Sequence, residues 1–434
     1  MAYIVKDVKA RQILDSRGNP TVEVDLWIDG GCGRFSVPSG ASTGSNEALE
    51  LRDGDKTNYG GKSVENAVNI VNTIIKENII NKSFKNFEEI DKLLISLDGT
   101  KNKSKLGANS ILGVSGAFIK AVSEKENIPL YKAFGENEKY IIPTPMMNII
   151  NGGKHSDNSI NIQEFMIVPS NCKDFKSALK NCAEVYHTLK NLLKDDGYST
   201  GVGDEGGFAP NFSSDEMALD YILNAVEKAG FKAGVDFYLS LDAAASEMKN
   251  EAGKKGLDGY LFWKTGKHFS KSELISYWVN LCKKYPIISL EDPFDEDDDE
   301  SYKEFNKLMG DKIQIVGDDL YCTNLERLNR GVEQKLTNSI LIKPNQIGTF
   351  FETLKAMNFA KENGFTRIVS HRSGETEDTT IADLSVGTGA GQIKTGAPCR
   401  TERICKYNRL LRIEEELKDR CVFLGHKSFK NFEK

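Results

Sequence analysis

The stretch SILIKPNQIGT, residues 339–349, decides the fold of this chain. Three apolar residues, 340–342, precede Lys343, and turn formers follow it. An apolar run that ends in a charged residue and turn formers is typical of a buried strand that emerges at a surface. A lysine in this position keeps its stem among apolar neighbours, and burial lowers the pKa of a lysine. We therefore predict that Lys343 is a base that abstracts a proton.

Five further segments share this design, because each is an apolar run that delivers one ionisable residue. These residues are Asp242 in YLSLD, Glu291 in IISLED, Asp318 in IQIVGDD, His371 in RIVSHRS and Lys394 in GQIKTG. Most gaps between them fit one strand, one helix and two loops, which need about 25 to 40 residues. The pattern predicts a TIM-type (β/α)8 barrel of parallel strands, whose carboxyl ends share the face that holds active sites. Carboxylates and amines at that face predict a metal site facing a base.

Composition excludes several classes of protein. The chain has 434 residues, 39% of them hydrophobic, which is enough for a large core and two domains. Lys and Arg number 57 against 63 acids, with no basic block, so neither nucleic acid nor an anionic membrane is expected as the main partner. No run approaches the roughly 18 apolar residues of a membrane span, and the first residues lack the apolar core of a signal peptide. Eight cysteines form no CxxC pair, which indicates reduced thiols and a cytoplasmic location.

The N-terminal part has a different pattern. Residues 4–38 predict an antiparallel meander, and a polar loop, SGASTGSNEA, occupies residues 39–48. Helical periodicity begins behind Ser63, which we expect to cap a helix, and returns near residues 87–97 and 107–126. We predict an α+β cap domain over residues 1–137 and a catalytic barrel domain over residues 138–434.

Two polar loops complete the set of candidate residues. The first lies between predicted strands and holds His155, Gln163 and Glu164. The second, GVGDEGGFAP at residues 201–210, satisfies G-x-G-x-x-G. Its Asp204 and Glu205 would repel a pyrophosphate and no βαβ unit frames it, so a dinucleotide site is disfavoured. The glycines are better explained as letting the backbone expose two acids at a pocket.

Taken together, these segments resemble the enolase family over essentially the full length. The motifs that carry the resemblance, in order, are SGASTG with EALELRDGD, LGANSILGVS, NGGKH with QEF, GDEGGFAP, SLEDPF, GDDL, ILIKPNQIGT, SHRSGETED and GQIKTGAP. HSDN and RTERICKYNRLL are similar to the bacterial branch. Departures from the usual pattern occur at Ser110, Ser156, Tyr321, Cys322 and Pro344, and none replaces a catalytic residue type.

The resemblance implies a glycolytic hydro-lyase, phosphopyruvate hydratase, that interconverts 2-phosphoglycerate and phosphoenolpyruvate. Removing the proton from carbon 2 adds a second negative charge to a carboxylate, so concentrated positive charge is needed. Mg²⁺ is a hard, oxygen-loving cation suited to this task. The resemblance assigns a first Mg²⁺ to Asp242, Glu291 and Asp318, and a second, bound with substrate, to the loop of Ser42. A lysine or histidine base paired with one or two Mg²⁺ ions is a known pattern of the enolase superfamily, so this pairing is implied by the resemblance and not by the residues alone.

The resemblance also assigns roles to the other candidates. Lys343 is the base, and Glu205, with Glu164 beside it, is the acid that protonates the leaving hydroxide. Binding of substrate is assigned to His155, Gln163, Glu164, Arg372, Ser373, Lys394 and Ser42. His371 is placed among the catalytic residues, where it would orient the substrate by hydrogen bonds. The Ser42 loop is expected to close over the substrate, with Gly40 and Gly44 supplying hinge freedom.

Plainer explanations stay open for single residues. The three acids would also serve as helix N-caps, Lys343 would also extend to solvent along an apolar surface, and the acidic run 295–300 is better explained as a helix start than as a calcium site. The alternative functions are a superfamily enzyme acting on another carboxylate, and a binding protein, either a secreted or cell-surface receptor for host proteins or a component of an RNA-degrading assembly. The charged ring favours an enzyme, and the lid with Arg372 and Ser373 favours a phosphorylated substrate. The resemblance implies a homodimer or an octamer.

Overall fold

The computed structural model describes residues 2–40 and 44–430. Its N-terminal part is an antiparallel sheet of order β3-β2-β1-β4 covered by helices. The elements are β1 Tyr3–Leu14, β2 Pro20–Ile28, β3 Gly31–Ser36, α1 Glu65–Ile70, α2 Lys76–Ile79, β4 Ser83–Phe84, α3 Phe87–Asp98, α4 Ala108–Lys125 and α5 Leu130–Phe134. A short π-helical segment, Val71–Ile75, joins α1 to α2. The predicted meander and the helices near residues 87–97 and 107–126 are confirmed.

Helix α4 lies unusually close to the sheet. A side chain at Gly33 would collide with the backbone of Ala117, and one at Gly116 would collide with the ring of Phe35. Most residues of α4 are buried as a result. Glycine at these two positions therefore lets strand and helix backbones approach each other and build the core of this part.

The predicted cap at Ser63 is wrong. Helix α1 begins at Glu65, and Val64 at its N-cap makes no side-chain cap bond. The backbone N–H groups of Glu65 and Asn66 instead donate to the carboxylate of Asp53, both at 2.9 Å. A carboxylate from an earlier loop takes the place of the local cap, because its charge and oxygens satisfy the exposed amides equally well.

The second part of the chain contains the barrel. Its elements are β5 Tyr140–Ile142, β6 Thr144–Asn151, β7 Glu164–Pro169, α6 Phe175–Asp195, α7 Asp215–Lys228, β8 Phe237–Asp242, α8 Ala245–Lys254, β9 Tyr260–Phe262, β10 Lys267–Phe269, α9 Lys271–Lys284, β11 Ile287–Glu291, α10 Asp299–Met309, β12 Gln314–Gly317, α11 Leu325–Gln334, β13 Ser339–Ile342, α12 Pro344–Ile347, α13 Phe350–Glu362, β14 Thr366–Ser370, α14 Thr380–Gly387, β15 Gly391–Lys394, α15 Thr401–Leu417 and β16 Cys421–Phe423. Eight strands close in the order β11-β12-β13-β14-β15-β6-β7-β8. The predicted TIM-type barrel with an N-terminal α+β part is confirmed.

One strand departs from the all-parallel prediction. Strand β7 runs antiparallel to both neighbours, β6 and β8, whereas the other adjacent pairs are parallel. Parallel neighbours need a long crossover, but β6 and β7 are joined by the hairpin loop 152–163, which holds no α-helix. Strand β7 therefore begins at the rim where the parallel strands end.

The barrel interior is a packed core. Apolar side chains from successive strands fill it: Met146, Met166, Val168, Ile288, Val316, Leu341 and Ile368. Gln314 and Gln392 form a buried reciprocal pair of side-chain hydrogen bonds of 2.9 and 2.8 Å in the same interior. With no lumen through the barrel, chemistry is confined to its rim.

The N-terminal part packs against the rim and brings the described residues on both sides of positions 41–43 to it. The N–H of Ala48 donates to the carbonyl of Gln346 at 2.8 Å, and Ser39 and Gly374 exchange backbone hydrogen bonds of 2.8 and 2.9 Å. No helix among the described residues is both long and apolar enough to span a bilayer. The predicted division after residue 137 stays a prediction.

Candidate active site

Six of the predicted residues stand at the carboxyl-terminal rim of the barrel. Those that end a strand are Asp242, Glu291 and Lys394. Those that directly follow a strand are Asp318, Lys343 and His371. Five of the six, all except Glu291, line a cleft of about 430 Å³, together with His155, Gln163, Glu164, Glu205, Arg372 and Ser373. The fold thus brings together ionisable residues that lie up to 239 positions apart in the chain.

Lys394 lies among three carboxylates. Its Nζ is 2.8 and 2.9 Å from the two oxygens of Glu291, 3.2 Å from Glu164 and 3.3 Å from Asp242. Burial opposes the charge of this lysine, yet the three carboxylates outweigh it and hold the pKa of Lys394 well above its usual value. Burial and the neighbouring Asp242 raise the pKa of Glu291 well above its usual range. Lys394 is therefore a fixed cation that neutralises part of the acidic rim.

Lys343 contradicts one expectation from the sequence. Burial does favour its neutral amine, but its Nζ lies 2.5 Å from Oδ2 of Asp318. The net effect places the pKa of Lys343 above its usual value, whereas the sequence predicted a lowered pKa. The prediction failed because it counted burial but not this direct carboxylate contact.

Asp292 holds the turn that carries two further acids, Asp318 and Asp319. Its two carboxylate oxygens accept the backbone N–H groups of Asp318 at 2.9 Å and Asp319 at 2.8 Å. Asp292 itself has a left-handed backbone with φ of 41°. Oxygens of these three acids lie within 4.8 Å of one another. The sequence analysis missed Asp292 and Asp319, although both follow a predicted ligand directly in the chain.

Glu164 and Glu205 form a second acidic pair with His155. Nδ1 of His155 is 3.7 Å from an oxygen of each carboxylate. Burial and the charge of Glu205 raise the pKa of Glu164 well above its usual value. The pKa of Glu205 is held well below its usual value, since the histidines and Arg403 around it outweigh its burial. Of the two carboxyls, Glu164 is therefore the one whose environment favours the protonated form, although the sequence pointed to Glu205 as the acid.

The segment 371–373 contributes a guanidinium, that of Arg372, to the site. Arg372 pairs with Glu47 through contacts of 2.9 and 3.1 Å, and its Nη1 donates to Asn345 at 3.0 Å. Both partners of the Arg372–Glu47 pair are nearly buried. Ser373 Oγ lies 3.3 Å from Nε2 of His155. The sequence analysis missed Glu47, whose only visible signal was its place in the polar loop after residue 43.

Comparison with family models matches two parts of the chain. Residues 5–134 match "Enolase, N-terminal domain", and residues 139–432 match "Enolase, C-terminal TIM barrel domain". The chain belongs to the enolase family. Its active site is therefore sought at the acidic rim of a barrel whose second strand, β7, is antiparallel.

The rim of this enolase-family protein fits a hard divalent cation. Asp242, Glu291 and Asp318 offer oxygens only, which are the ligands that Mg²⁺ prefers. Lys394 contacts the first two and Lys343 contacts the third, so each of the three carboxylates already faces a positive charge. That the three share one ion stays a prediction.

The plainer roles considered for these acids do not hold among the described residues. The N-cap positions of α8, α10 and α11 are Ala244, Asp298 and Asn324, so none of the three predicted ligands caps the following helix. The acidic run 295–300 does start α10, because Asp298 accepts from the N–H of Ser301. The glycine motif at residues 201–206 lies between two helices and lacks the strand that a dinucleotide site requires.

Ser42, predicted to bind substrate and the second Mg²⁺, lies outside the described residues. The two glycines that flank it in the sequence are described. A side chain at Gly40 would collide with the guanidinium of Arg372, and one at Gly44 would meet Sγ of Cys322 at 2.7 Å. Neither glycine has a left-handed backbone. At both positions the backbone lies so close to residues of the barrel rim that only glycine fits, and this requirement is separate from the hinge role predicted for the two glycines.

Proposed function

We propose that this enolase-family protein is a Mg²⁺-dependent hydro-lyase that interconverts 2-phosphoglycerate and phosphoenolpyruvate. The observation that carries the proposal is the contact of 2.5 Å between Lys343 and Asp318. It sets the candidate base directly beside a candidate metal ligand. A base that removes a proton next to a carboxylate has to work beside the cation that stabilises the resulting charge.

Arg372 and Ser373 bind the phosphate in this proposal. A guanidinium presents a planar pair of N–H donors that matches two phosphate oxygens. Glu47 orients that pair from one side, so the arginine is already fixed when the substrate arrives. Lys394, a permanent cation, faces the substrate carboxylate, and Gln163 and His155 donate hydrogen bonds to the rest of the substrate.

Two proton transfers balance the reaction. The Lys343 amine takes the proton from carbon 2, and the electron pair of that C–H bond becomes the second bond between carbons 2 and 3. The bond between carbon 3 and its hydroxyl oxygen breaks, and a proton from the acidic pair Glu164 and Glu205 joins the departing hydroxide to give water. Burial and the charge of Glu205 raise the pKa of Glu164, which favours the protonated acid that this step needs.

Asp242, Glu291 and Asp318 would hold the cation. When bound, Mg²⁺ would supply the positive charge that the substrate carboxylate needs after losing the proton. Burial of Lys343 and its proximity to Arg372 and Lys394 all favour the neutral amine, and only its contact with Asp318 and the other carboxylates opposes it.

The experiment mixes the purified chain with 2-phosphoglycerate and Mg²⁺ and follows phosphoenolpyruvate. We expect turnover, and we expect Lys343→Ala to abolish exchange of the carbon 2 proton with solvent. The matched control is Lys307→Ala, an exposed lysine on α10, which should exchange at the wild-type rate. Exchange that persists in Lys343→Ala would assign the base to another residue. Turnover of an unphosphorylated 2-hydroxy carboxylate in place of 2-phosphoglycerate would favour another reaction of the superfamily.

The remaining parts of the proposal rest on the resemblance and, for the location, on the cysteines. They are a bacterial type, a homodimer or octamer, a second Mg²⁺ with Ser42 and a cytosolic location. The eight cysteines, all free, are compatible with a reducing compartment. Sedimentation of the purified chain distinguishes dimer from octamer.

A further inference from the structure

Arg403 lies behind the active site and is not among the residues assigned to binding or catalysis. It lies in the first turn of α15 and is fully buried. Burying a guanidinium is costly unless its donors are satisfied. Its nearest carboxylate, the adjacent Glu402, is 3.4 Å from Nε, outside the good hydrogen-bond range. The structure therefore has to satisfy this cation in another way.

The donors of Arg403 go to the backbone of active-site loops. Nη1 donates to the carbonyl of Arg372 and Nη2 to the carbonyl of Ser373, both at 2.6 Å. Nη2 also donates to the carbonyl of Asp204 at 3.0 Å, directly before Glu205. One side chain thus fixes the segment that carries the phosphate-binding residues and the segment that carries the acid.

The same guanidinium determines where His371 carries its proton. Nη1 of Arg403 lies 2.7 Å from Nδ1 of His371. A guanidinium only donates, so Nδ1 has to accept and carries no proton. The proton of the neutral ring is then on Nε2, which faces Oε2 of Glu205 at 3.4 Å.

We propose that Arg403 is a positioning residue that locks His371 in the Nε2–H tautomer and holds residues 371–373 in register with Glu205. His371 then presents a hydrogen-bond donor to the cleft and does not act as a base. The effect of this tautomer on catalysis rests on the function proposed above, whereas the assignment of the tautomer depends only on the contacts of Arg403.

The first test needs no substrate and no change at Arg403. The chain has five histidines, so ¹⁵N-histidine labelling gives a small set of ring signals, and His371→Gln assigns one of them. We expect the His371 ring of the wild-type protein to show an unprotonated Nδ1 and a protonated Nε2 at pH 7 to 8. A proton on Nδ1, or on both nitrogens, would overturn the proposal.

Variants then separate positioning from general structure. Arg403→Met should produce a mixture of His371 tautomers and lower kcat by roughly 10- to 100-fold, the usual loss when the partner behind a working side chain is removed. Arg403→Lys keeps a donor and a charge, so it should retain the Nε2–H tautomer and at least tenfold more activity than Arg403→Met. The matched control is Arg409→Met on the same helix as Arg403. It removes an ion pair with Asp383 of α14 and should leave the His371 signals unchanged.

Each outcome is decisive. A folded Arg403→Met protein with the wild-type tautomer would refute the positioning role. If the Met variant does not fold, the wild-type spectrum and the Lys variant still decide the question. Inactivity of the wild-type protein toward 2-phosphoglycerate, with the predicted tautomer present, would reject the proposed function and keep the positioning role.

Discussion

Replacing Lys394 by methionine tests the electrostatic account of the rim most directly. The variant keeps an apolar stem of similar length but removes an ammonium that contacts three buried carboxylates within 3.3 Å. Breaking a buried ion pair by removing one partner costs about 3–5 kcal/mol, because the other partner stays buried and charged. Lys394 is 2% exposed, so solvent does little to reduce this cost. Since 1 kcal/mol corresponds to roughly 2–4 °C for domains somewhat smaller than this chain, we expect a loss on the order of 10 °C.

The loss should depend on pH in a definite direction. Burial raises the pKa of Glu291 and Glu164 in the folded protein, and removing Lys394 raises both further. Between the unfolded value of about 4.3 and the raised folded value, the native state binds more protons than the unfolded state. Stability contributed by such groups falls as pH rises through this window. The difference between variant and wild type should therefore be largest near pH 8 and shrink toward pH 5.

The assay is a pair of thermal melts for each protein at pH 5 and pH 8, with a chelator present so that no cation replaces the lysine. Lys254→Met is the control, because Lys254 pairs with Glu251 at the exposed surface and should not change the midpoint. Equal midpoints of Lys394→Met and wild type at pH 8, or a deficit that does not shrink at pH 5, would refute the electrostatic account of the rim.

Three further predictions concern the proposed reaction. Chelation of Mg²⁺ should remove activity and its return should restore it, which coupled turnover assays measure; turnover that survives exhaustive chelation would remove the metal from the scheme. Glu205→Gln should slow loss of the hydroxyl group more than exchange of the carbon 2 proton, and equal slowing in isotope experiments would argue that Glu164 alone is the acid. Glu47→Gln removes the charge that fixes Arg372 and should raise KM for 2-phosphoglycerate about tenfold, with a smaller change in kcat; an unchanged KM in steady-state kinetics would show that Arg372 is held without it.

The sequence was informative wherever a strand delivers its own functional residue. Runs such as IISLED and ILIKP show both a buried strand and the ionisable residue at its end, so the rim positions of Glu291 and Lys343 followed from local patterns. The antiparallel direction of β7 could not be predicted in this way, because an apolar run looks the same whether its strand is parallel or antiparallel to its neighbours. The length of the loop between β6 and β7, too short for a crossover with a helix, was the available signal.

Residues that act through long-range contacts stayed hidden. Glu47, Asp292 and Arg403 are ordinary charged residues in the sequence, and only the folded chain brings them to Arg372, Asp318 and His371. The raised pKa of Lys343 has the same origin, since its carboxylate partner lies 25 residues earlier in the chain. Local sequence reports burial well, but a pKa is set by the neighbours that the fold supplies.

The reversal of β7 has a consequence for the route of the chain. Because β7 ends at the far side of the barrel and β8 starts there, the connection between them has to return to that side. It does so as two helices, α6 and α7, and Glu205 sits in the bend between them. The bend is also tied to a barrel strand, because the N–H of Asn151 in β6 donates to the carbonyl of Phe208 at 2.9 Å. Both helices therefore have to be long enough to reach the rim: deleting one turn from each, about 5.4 Å, would break this contact and withdraw the carboxylate.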